Sequence, residues 1–213
     1  MPLEMELKLK VPDKLTAERL CGDPKVLRYA QEPLREKRME ALYFDTASHA
    51  LTQQKWMLRI RCEDDCFIAA CKRNRPGPLE NGFFCRDEWE CAVPCADNPA
   101  QAAGALVGAG APAELLDIIG AAPLVERCRI LFTRRCAVLR LPEGLVCEFS
   151  LDEGVITAGG KTENMLEMEL EVLYGKEAAA VELCAVWALR YNLTYEYASK
   201  YERGLRLIRS RQI

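Results

Sequence analysis

Apolar and charged residues alternate with a period of two over several stretches of this chain, the first beginning almost at once. Leu3, Met5, Leu7 and Leu9 interleave with Glu4, Glu6, Lys8 and Lys10, the pattern of a strand whose two faces meet different surroundings. Leu166-Glu167-Met168-Glu169-Leu170-Glu171-Val172 repeats it with three carboxylates on one face, where like charges repel unless a cation sits among them. A strand within Leu34 to Thr46 ends in Leu42-Tyr43-Phe44-Asp45-Thr46. Trp56 to Cys62 carries Arg59 and Arg61 on one face. Glu63-Asp64-Asp65 is a hairpin turn, from which Phe67 to Lys72 returns antiparallel with Lys72 on the face of Ala70 and Ile68. Phe83 to Val93 places Arg86, Glu88 and Glu90 on one face and Cys85, Trp89 and Cys91 on the other. Leu124 to Leu141 returns to strands, with Arg127, Arg129 and Arg135 at odd positions that face one way in an unbroken strand. Pro142-Glu143-Gly144 turns into a strand over Leu145 to Asp152, and Gly159-Gly160 allows a turn before the triple-glutamate strand.

Helical signals fill the gaps. Pro12-Asp13 stops the first strand and starts a loosely amphipathic helix to about Ala30, on Leu15, Leu20, Val26 and Leu27. A short helix covers Ala47 to Gln54. Arg73 to Gly82 reads as a loop. Asp97 to Gly120, broken by Gly104, Gly108, Gly110 and Pro112, suggests two short helices, with a linker as the alternative. Glu177 to Tyr191 is an amphipathic helix, and Ser199 is an N-cap for Lys200 to Ile208. About eight strands in mainly antiparallel order, with no strand-helix alternation, argue against a parallel sheet. Closing the sheet into a barrel removes its edges and turns the charged faces inward. The expectation is an α+β fold: a closed antiparallel eight-stranded β-barrel with helices packed outside, one domain over residues 1–213.

Composition narrows what such a barrel does. The 213 residues include 29 Lys and Arg against 32 Asp and Glu, a balance that favours neither nucleic acid nor membrane and leaves any polyanion site to local segregation of charge. No apolar run approaches the ~20 residues of a membrane span, and Met1-Pro2-Leu3-Glu4 lacks the features of a signal peptide; a cytoplasmic protein is expected. The eleven cysteines include pairs at Cys62 and Cys66, Cys91 and Cys95, and Cys128 and Cys136, spacings of neither a zinc ribbon nor a C-x-x-C redox pair. Cys71, Cys91 and Cys147 read as small buried hydrophobes. His49 is incidental, and Trp56, Trp89 and Trp187 are core residues.

A closed barrel gathers Glu4, Glu6, Glu88, Glu90, Asp152, Glu167, Glu169 and Glu171 into one cavity with Lys8, Arg59, Arg61, Lys72, Arg86, Arg129 and Arg135. Unpaired, such charges cost several kcal/mol each. Either the signs neutralise one another in a structural network, or the acids hold a hard cation such as Mg2+ while Arg and Lys grip a polyanion that the metal bridges. A chain of phosphates matches so many cations.

Glu4-x-Glu6-x-Lys8 resembles the N-terminal ExExK signature of the CYTH domain, the superfamily of triphosphate tunnel metalloenzymes. The resemblance spans nearly the whole chain through Tyr43-Phe44-Asp45-Thr46, Leu58-Arg59-Ile60-Arg61, Lys72, Arg86-Asp87-Glu88-Trp89-Glu90, Glu148 to Asp152, Glu167-x-Glu169-x-Glu171 and Ser199-Lys200-Tyr201, in the family's order. It implies an eight-stranded tunnel that binds triphosphate and hydrolyses or rearranges it with Mg2+ or Mn2+. Carried over, Glu4, Glu6, Glu169 and Glu171 serve the metal with Asp152 and Glu90 assisting. Lys8, Arg59, Arg61, Lys72, Arg135 and Lys200 hold phosphate oxygens, with Arg86 and Arg129 in the same set. Glu4, Glu6, Lys8 and Lys200 are the catalytic group. Arg127 competes with Arg129, and Arg134 with Arg135, for one slot each; strand parity favours Arg129 and Arg135. Glu167 belongs either to the tunnel or to its mouth. Members with a second, helical domain are longer, so this chain resembles the catalytic domain alone. The implied activity is hydrolysis of inorganic triphosphate to pyrophosphate and phosphate. Class IV-type adenylyl cyclase, thiamine or nucleoside triphosphatase, and a non-catalytic polyphosphate sensor are the alternatives. The implied partner is the small-molecule triphosphate, with no nucleic acid or membrane, for a monomer or homodimer.

Overall fold

Eight strands pair antiparallel and close on themselves. In the computed structural model, which describes residues 3–74 and 83–209, they are β1 (Leu3–Lys10), β2 (Arg35–Thr46), β3 (Trp56–Glu63), β4 (Cys66–Asn74), β5 (Phe83–Val93), β6 (Leu124–Arg140), β7 (Val146–Ala158) and β8 (Lys161–Tyr174). Their order is β5-β4-β3-β2-β6-β7-β8-β1, and β1 pairs back onto β5 with Glu4 opposite Arg86. A two-residue strand, β9 (Thr194–Tyr195), adds to the end of β1. The hairpin turns obey local chemistry. Asp64 and Asp65 (φ 47° and 65°) and Gly159 and Gly160 (φ 57° and 75°) adopt the left-handed pairs that suit strand twist. Arg73 and Asn74, expected in a loop, instead continue β4 opposite Asp87 and Arg86; residues 75–82 of that expected loop lie outside the described residues.

Among the described residues, seven α-helices accompany the strands. The single helix expected up to Ala30 is two, α1 (Lys14–Cys21) and α2 (Pro24–Tyr29), because Gly22 ends the first and Asp23 caps the second. Asp13 caps α1, accepting from Thr16 N at 2.7 Å. Then come α3 (Ala50–Gln53), α4 (Pro99–Gly108), α5 (Glu114–Ile119), α6 (Glu177–Tyr191) and α7 (Lys200–Arg209). Ser199 and Glu202 form a capping box at α7: the Ser199 hydroxyl accepts from Glu202 N at 3.2 Å, and the Glu202 carboxylate accepts from Ser199 N at 2.7 Å.

Three apolar clusters hold this arrangement. On the outer face of β1, β6, β7 and β8, Leu7, Leu9, Phe149 and Leu170 pack against Leu20 of α1, Val26 of α2 and Trp187 of α6. On the outer face of β2 to β5, Leu58, Ile60 and Trp89 pack against α3, α4 and α5 through Leu51, Leu106 and Leu115. Burying each large side chain of this kind contributes roughly 1.5–3 kcal/mol. The third cluster lies inside the ring. Met39, Ala41, Tyr43, Ile130, Phe132 and Ile156 point inward and receive Tyr201 and Leu205, so α7 closes one end of the barrel. Trp56, Trp89 and Trp187 are core, and every cysteine is free, with Cys71 and Cys147 fully buried and Cys91, expected to be buried like them, only partly so at the edge of its cluster. Among the described residues no helix is long and apolar enough to cross a membrane.

Candidate active site

The half of the barrel interior away from the apolar plug is charged. It encloses a cavity of about 330 Å3, lined among others by Glu4, Glu6, Lys8, Arg59, Arg61, Lys72, Arg86, Arg134, Glu169, Glu171 and Lys200. Strand alternation places them. Glu4, Glu6 and Lys8 are the inward set of β1, and pairing with β8 sets Glu6 beside Glu171 and Lys8 beside Glu169. Arg59 and Arg61 come from β3, Lys72 from β4, Arg86, Glu88 and Glu90 from β5, and Asp152 from β7. Lys200 enters from α7.

Most of these charges are paired. Glu4 binds Lys72 at 2.5 Å and approaches Arg86 Nε at 3.2 Å; Glu6 binds Arg86 at 2.7 Å. Arg59 reaches Glu90 at 3.0 Å, and Lys72 reaches Glu88 at 3.0 Å. At the base, Lys8 lies 2.6 Å from Glu169. Lys200 lies 2.5 Å from Glu167, 2.6 Å from Glu169 and 2.9 Å from Asp152. Burial alone would depress the ammonium of Lys200, but Asp152, Glu167 and Glu169 outweigh it and raise it well above the lysine range. Burial likewise opposes the ionised form of Glu169, yet Lys200, Lys8 and Arg134 hold that carboxyl well below its usual range.

Parity misplaces two arginines. Arg129 faces outward, bound to Glu40 and Glu126, and Arg135 faces outward, bound to Glu18. Arg134 is the arginine inside, donating from Nε and Nη2 to Asp152 at 2.8 and 2.7 Å and from Nη2 to Glu169 at 2.7 Å. The reason is that the inward face of β6 carries Ile130 and Phe132 for the plug cluster, so charge does not mark the inner parity of this strand. The register β2 imposes, Met39 opposite Phe132 and Lys37 opposite Arg134, identifies it instead. Sequence reading also passed over Lys37, Glu63, Glu148 and Ser150, all cavity-lining. Arg127 lies outside this group, 2.6 Å from His49 Nε2. Glu167 sits at the buried base, with Arg203 at 2.7 Å, and not at the mouth. The side chain of Glu90 is 41% exposed.

Two groups on opposite walls are held away from their ordinary ionisation. The Glu171 carboxyl is pushed up to about 7 by burial and by Glu4 and Glu6 against a smaller opposing pull from Lys72, and among the described residues no lysine or arginine stands within ion-pair distance of it. Burial lowers the Arg61 guanidinium, and Arg59 and Arg134 lower it further. β3 and β8 are four places apart in the ring of eight, so Arg59 and Arg61 stand across the cavity from Glu169 and Glu171. Asp152, Glu167 and Glu169 offer oxygens within 4.8 Å of one another, but the Lys200 ammonium already serves all three. Lys72 and Arg86 hold Glu4 and Glu6 in the same way, whereas Glu171 beside them has no ion-pair partner among the described residues, so Glu4, Glu6 and Glu171 are oxygen donors that could take a hard divalent cation once Lys72 and Arg86 are drawn off.

A model of the CYTH domain matches residues 2–205. No curated protein matches the sequence. Among solved structures, HpAC1 from Hippeastrum, an adenylyl cyclase candidate with a dominant triphosphatase activity, superposes with a TM-score of 0.67 at 23% identity, covering 97% of this chain and 95% of that one. The PH1819 protein of Pyrococcus horikoshii OT3 gives 0.57 at 18% identity over 95% of this chain and 99% of its own. The RNA triphosphatase domain of the mimivirus mRNA capping enzyme gives 0.54 at 9% identity over 89% and 88%. At these identities the likeness is one of fold.

Proposed function

The chain belongs to the CYTH domain family, and from that premise we propose that it is a divalent-metal-dependent triphosphatase that hydrolyses inorganic triphosphate to pyrophosphate and phosphate inside its barrel. The observation that carries the reading is one cavity lined by two exchangeable sets of charge, the cations Arg59, Arg61 and Arg134 and the carboxylates Glu4, Glu6 and Glu171, of which Glu171 has no ion-pair partner among the described residues. A polyanion neutralises the first and a cation the second.

Binding is then an exchange of partners. Phosphate oxygens take over Arg59, Lys72 and Arg86, which now hold Glu90, Glu88, Glu4 and Glu6. The carboxylates so released complete an oxygen cage with Glu171 and Glu169. When bound there, Mg2+ or Mn2+ would supply positive charge to the phosphate oxygens and acidify a bound water. Lys8 and Lys200 stabilise charge at the base of the cavity. Arg61 and Arg134 keep the chain of phosphates extended, so that water adds to the terminal phosphorus as the bond to the bridging oxygen breaks and pyrophosphate leaves. Phosphoryl transfer of this kind depends on positioning and charge neutralisation.

An inorganic substrate is favoured because the aromatic residues of the cavity, Tyr43 and Phe132, belong to the apolar plug beneath α7. An organic head group needs a stacking surface where it emerges. A cytoplasmic monomer or homodimer acting on this small molecule, without nucleic acid or membrane, goes with the reading. The test is to incubate the protein with tripolyphosphate, ATP and thiamine triphosphate, each with Mg2+, Mn2+ or chelator, and to follow phosphate, pyrophosphate and cyclic nucleotide. Metal-dependent phosphate release greatest from tripolyphosphate is expected. Cyclic nucleotide and pyrophosphate from ATP would make it a cyclase, and binding without product a sensor.

A further inference from the structure

Asp45 is fully buried at the end of β2 and makes no contact with the cavity. Its carboxylate accepts from Thr46 N at 2.7 Å, Leu51 N at 2.9 Å and Thr52 N at 3.0 Å, which fixes the corner between β2 and α3. It also accepts from the Thr52 hydroxyl at 2.7 Å. Thr52 Oγ1 lies 3.1 Å from the phenol oxygen of Tyr201. A threonine hydroxyl has one proton, and a carboxylate can only accept, so the direction is settled: Tyr201 donates to Thr52 and Thr52 donates to Asp45. The Tyr201 ring stacks on Tyr43, centroids 5.2 Å apart at 11°. The next residue back is Lys200.

We propose that Asp45 and Thr52 are positioning residues for Lys200, acting through Tyr201 to hold the first turn of α7 so that the ammonium stands over Asp152, Glu167 and Glu169. Lys200, like Arg203, reaches the base from α7, outside the strand ring, so the ladder hydrogen bonds that fix Lys8 and Glu169 do nothing for it. Its neighbours on α7 supply depth: Arg203 is held by Glu163 and Glu167, and Gly204 lies against Cys128. Among the described residues, the Tyr201 chain is the hydrogen-bonded link that ties the turn laterally to the β2–α3 corner. Glu163 and Glu167 face the helix from β8, Cys128 and Arg127 from β6, and none of them replaces the acceptor that Tyr201 finds in Thr52. Lys200 touches substrate only in the functional reading given above, so the inference rests on that reading for its kinetic consequence but not for its geometry.

The experiment compares Thr52→Val, Thr52→Ser and Tyr201→Phe, each alone and combined with Lys200→Met, at matched folding by circular dichroism. Thr52→Val and Tyr201→Phe are expected to raise KM for tripolyphosphate about tenfold, the worth of one well-placed hydrogen bond. Their double variant should be no worse than either, and Thr52→Ser should restore the wild-type value. In the Lys200→Met background the effect of Thr52→Val should vanish. A Thr52→Val effect of the same size with and without Lys200 overturns the proposal, since a purely structural loss is indifferent to Lys200. The second readout needs no turnover. In the unliganded protein the buried Lys200 ammonium should give a protected NMR signal, assigned by its loss in Lys200→Met. Thr52→Val should shift or broaden that signal, and Thr52→Ser should not. An unmoved signal refutes the relay whatever the activity. A moved signal in a protein that hydrolyses no triphosphate supports the relay and rejects the triphosphatase reading alone.

Discussion

Arg134 donates to both oxygens of Asp152 and to Glu169, while Arg135 reaches Glu18 on the outer surface. Lysine keeps the charge but loses the planar fork. Arg134→Lys is therefore expected to raise KM for tripolyphosphate about tenfold, and Arg135→Lys to stay within about twofold, by steady-state kinetics. Glu4→Gln or Glu6→Gln should leave a folded barrel with turnover down about 100-fold, the loss typical of a disturbed metal shell; turnover within a few-fold of wild type would remove them from the metal set. Glu171 gives a pH dependence whose sign is fixed. Its folded carboxyl titrates near 7 against an ordinary value of 4.5, so between those values the folded chain binds a proton that the unfolded chain does not. Its contribution to stability is present below about 4.5 and lost as pH rises toward 7. Melting scans from pH 5 to 8 should show that decline in the metal-free protein, and Glu171→Gln should flatten it. Metal competes with that proton, so metal affinity should rise over the same interval.

The elements were largely legible because each obeys local rules. The alternation of β1 and β8, the paired positive φ of the β3–β4 and β7–β8 turns, and the limits of α6 all follow from period and turn chemistry. The fate of α7 was not legible. Its sequence announces a capped amphipathic helix, but only contact with Tyr43, Cys128 and Phe132 makes it the closure of the barrel. A Cβ at Gly204 would stand 2.3 Å from Cys128 Sγ and 2.9 Å from its Cβ. Gly204→Ala should therefore push α7 off β6, costing about 1–3 kcal/mol and raising KM as Lys200 is displaced. Adding Cys128→Ala should recover part of the lost Tm, which calorimetry of the three variants will show.

At the scale of the whole molecule, the cavity is filled with ion pairs, so on the proposed reading anion and metal would each expose what the other binds. Coupling of this sort is reciprocal. Tripolyphosphate and Mg2+ together should raise Tm by more than the sum of their separate effects, and chelator should abolish most of the shift from tripolyphosphate. Additive shifts would place the two ligands on independent sites.

Sequence by itself determined the strands, their antiparallel succession, the acidic faces of β1 and β8, and the cationic face of β3. Each is a local alternation whose period is set by the backbone, and burying one face of every strand leaves closure as the economical way to satisfy the other. Tertiary structure alone decided which of Arg134 and Arg135 enters the cavity, because inner parity on β6 depends on register with β2 and on an apolar plug that charge patterning hides. It also decided that Glu167 lies at the base, and which carboxylates the Lys200 ammonium meets there, Asp152, Glu167 and Glu169. Those assignments depend on distances between residues far apart in the chain, which no local period encodes.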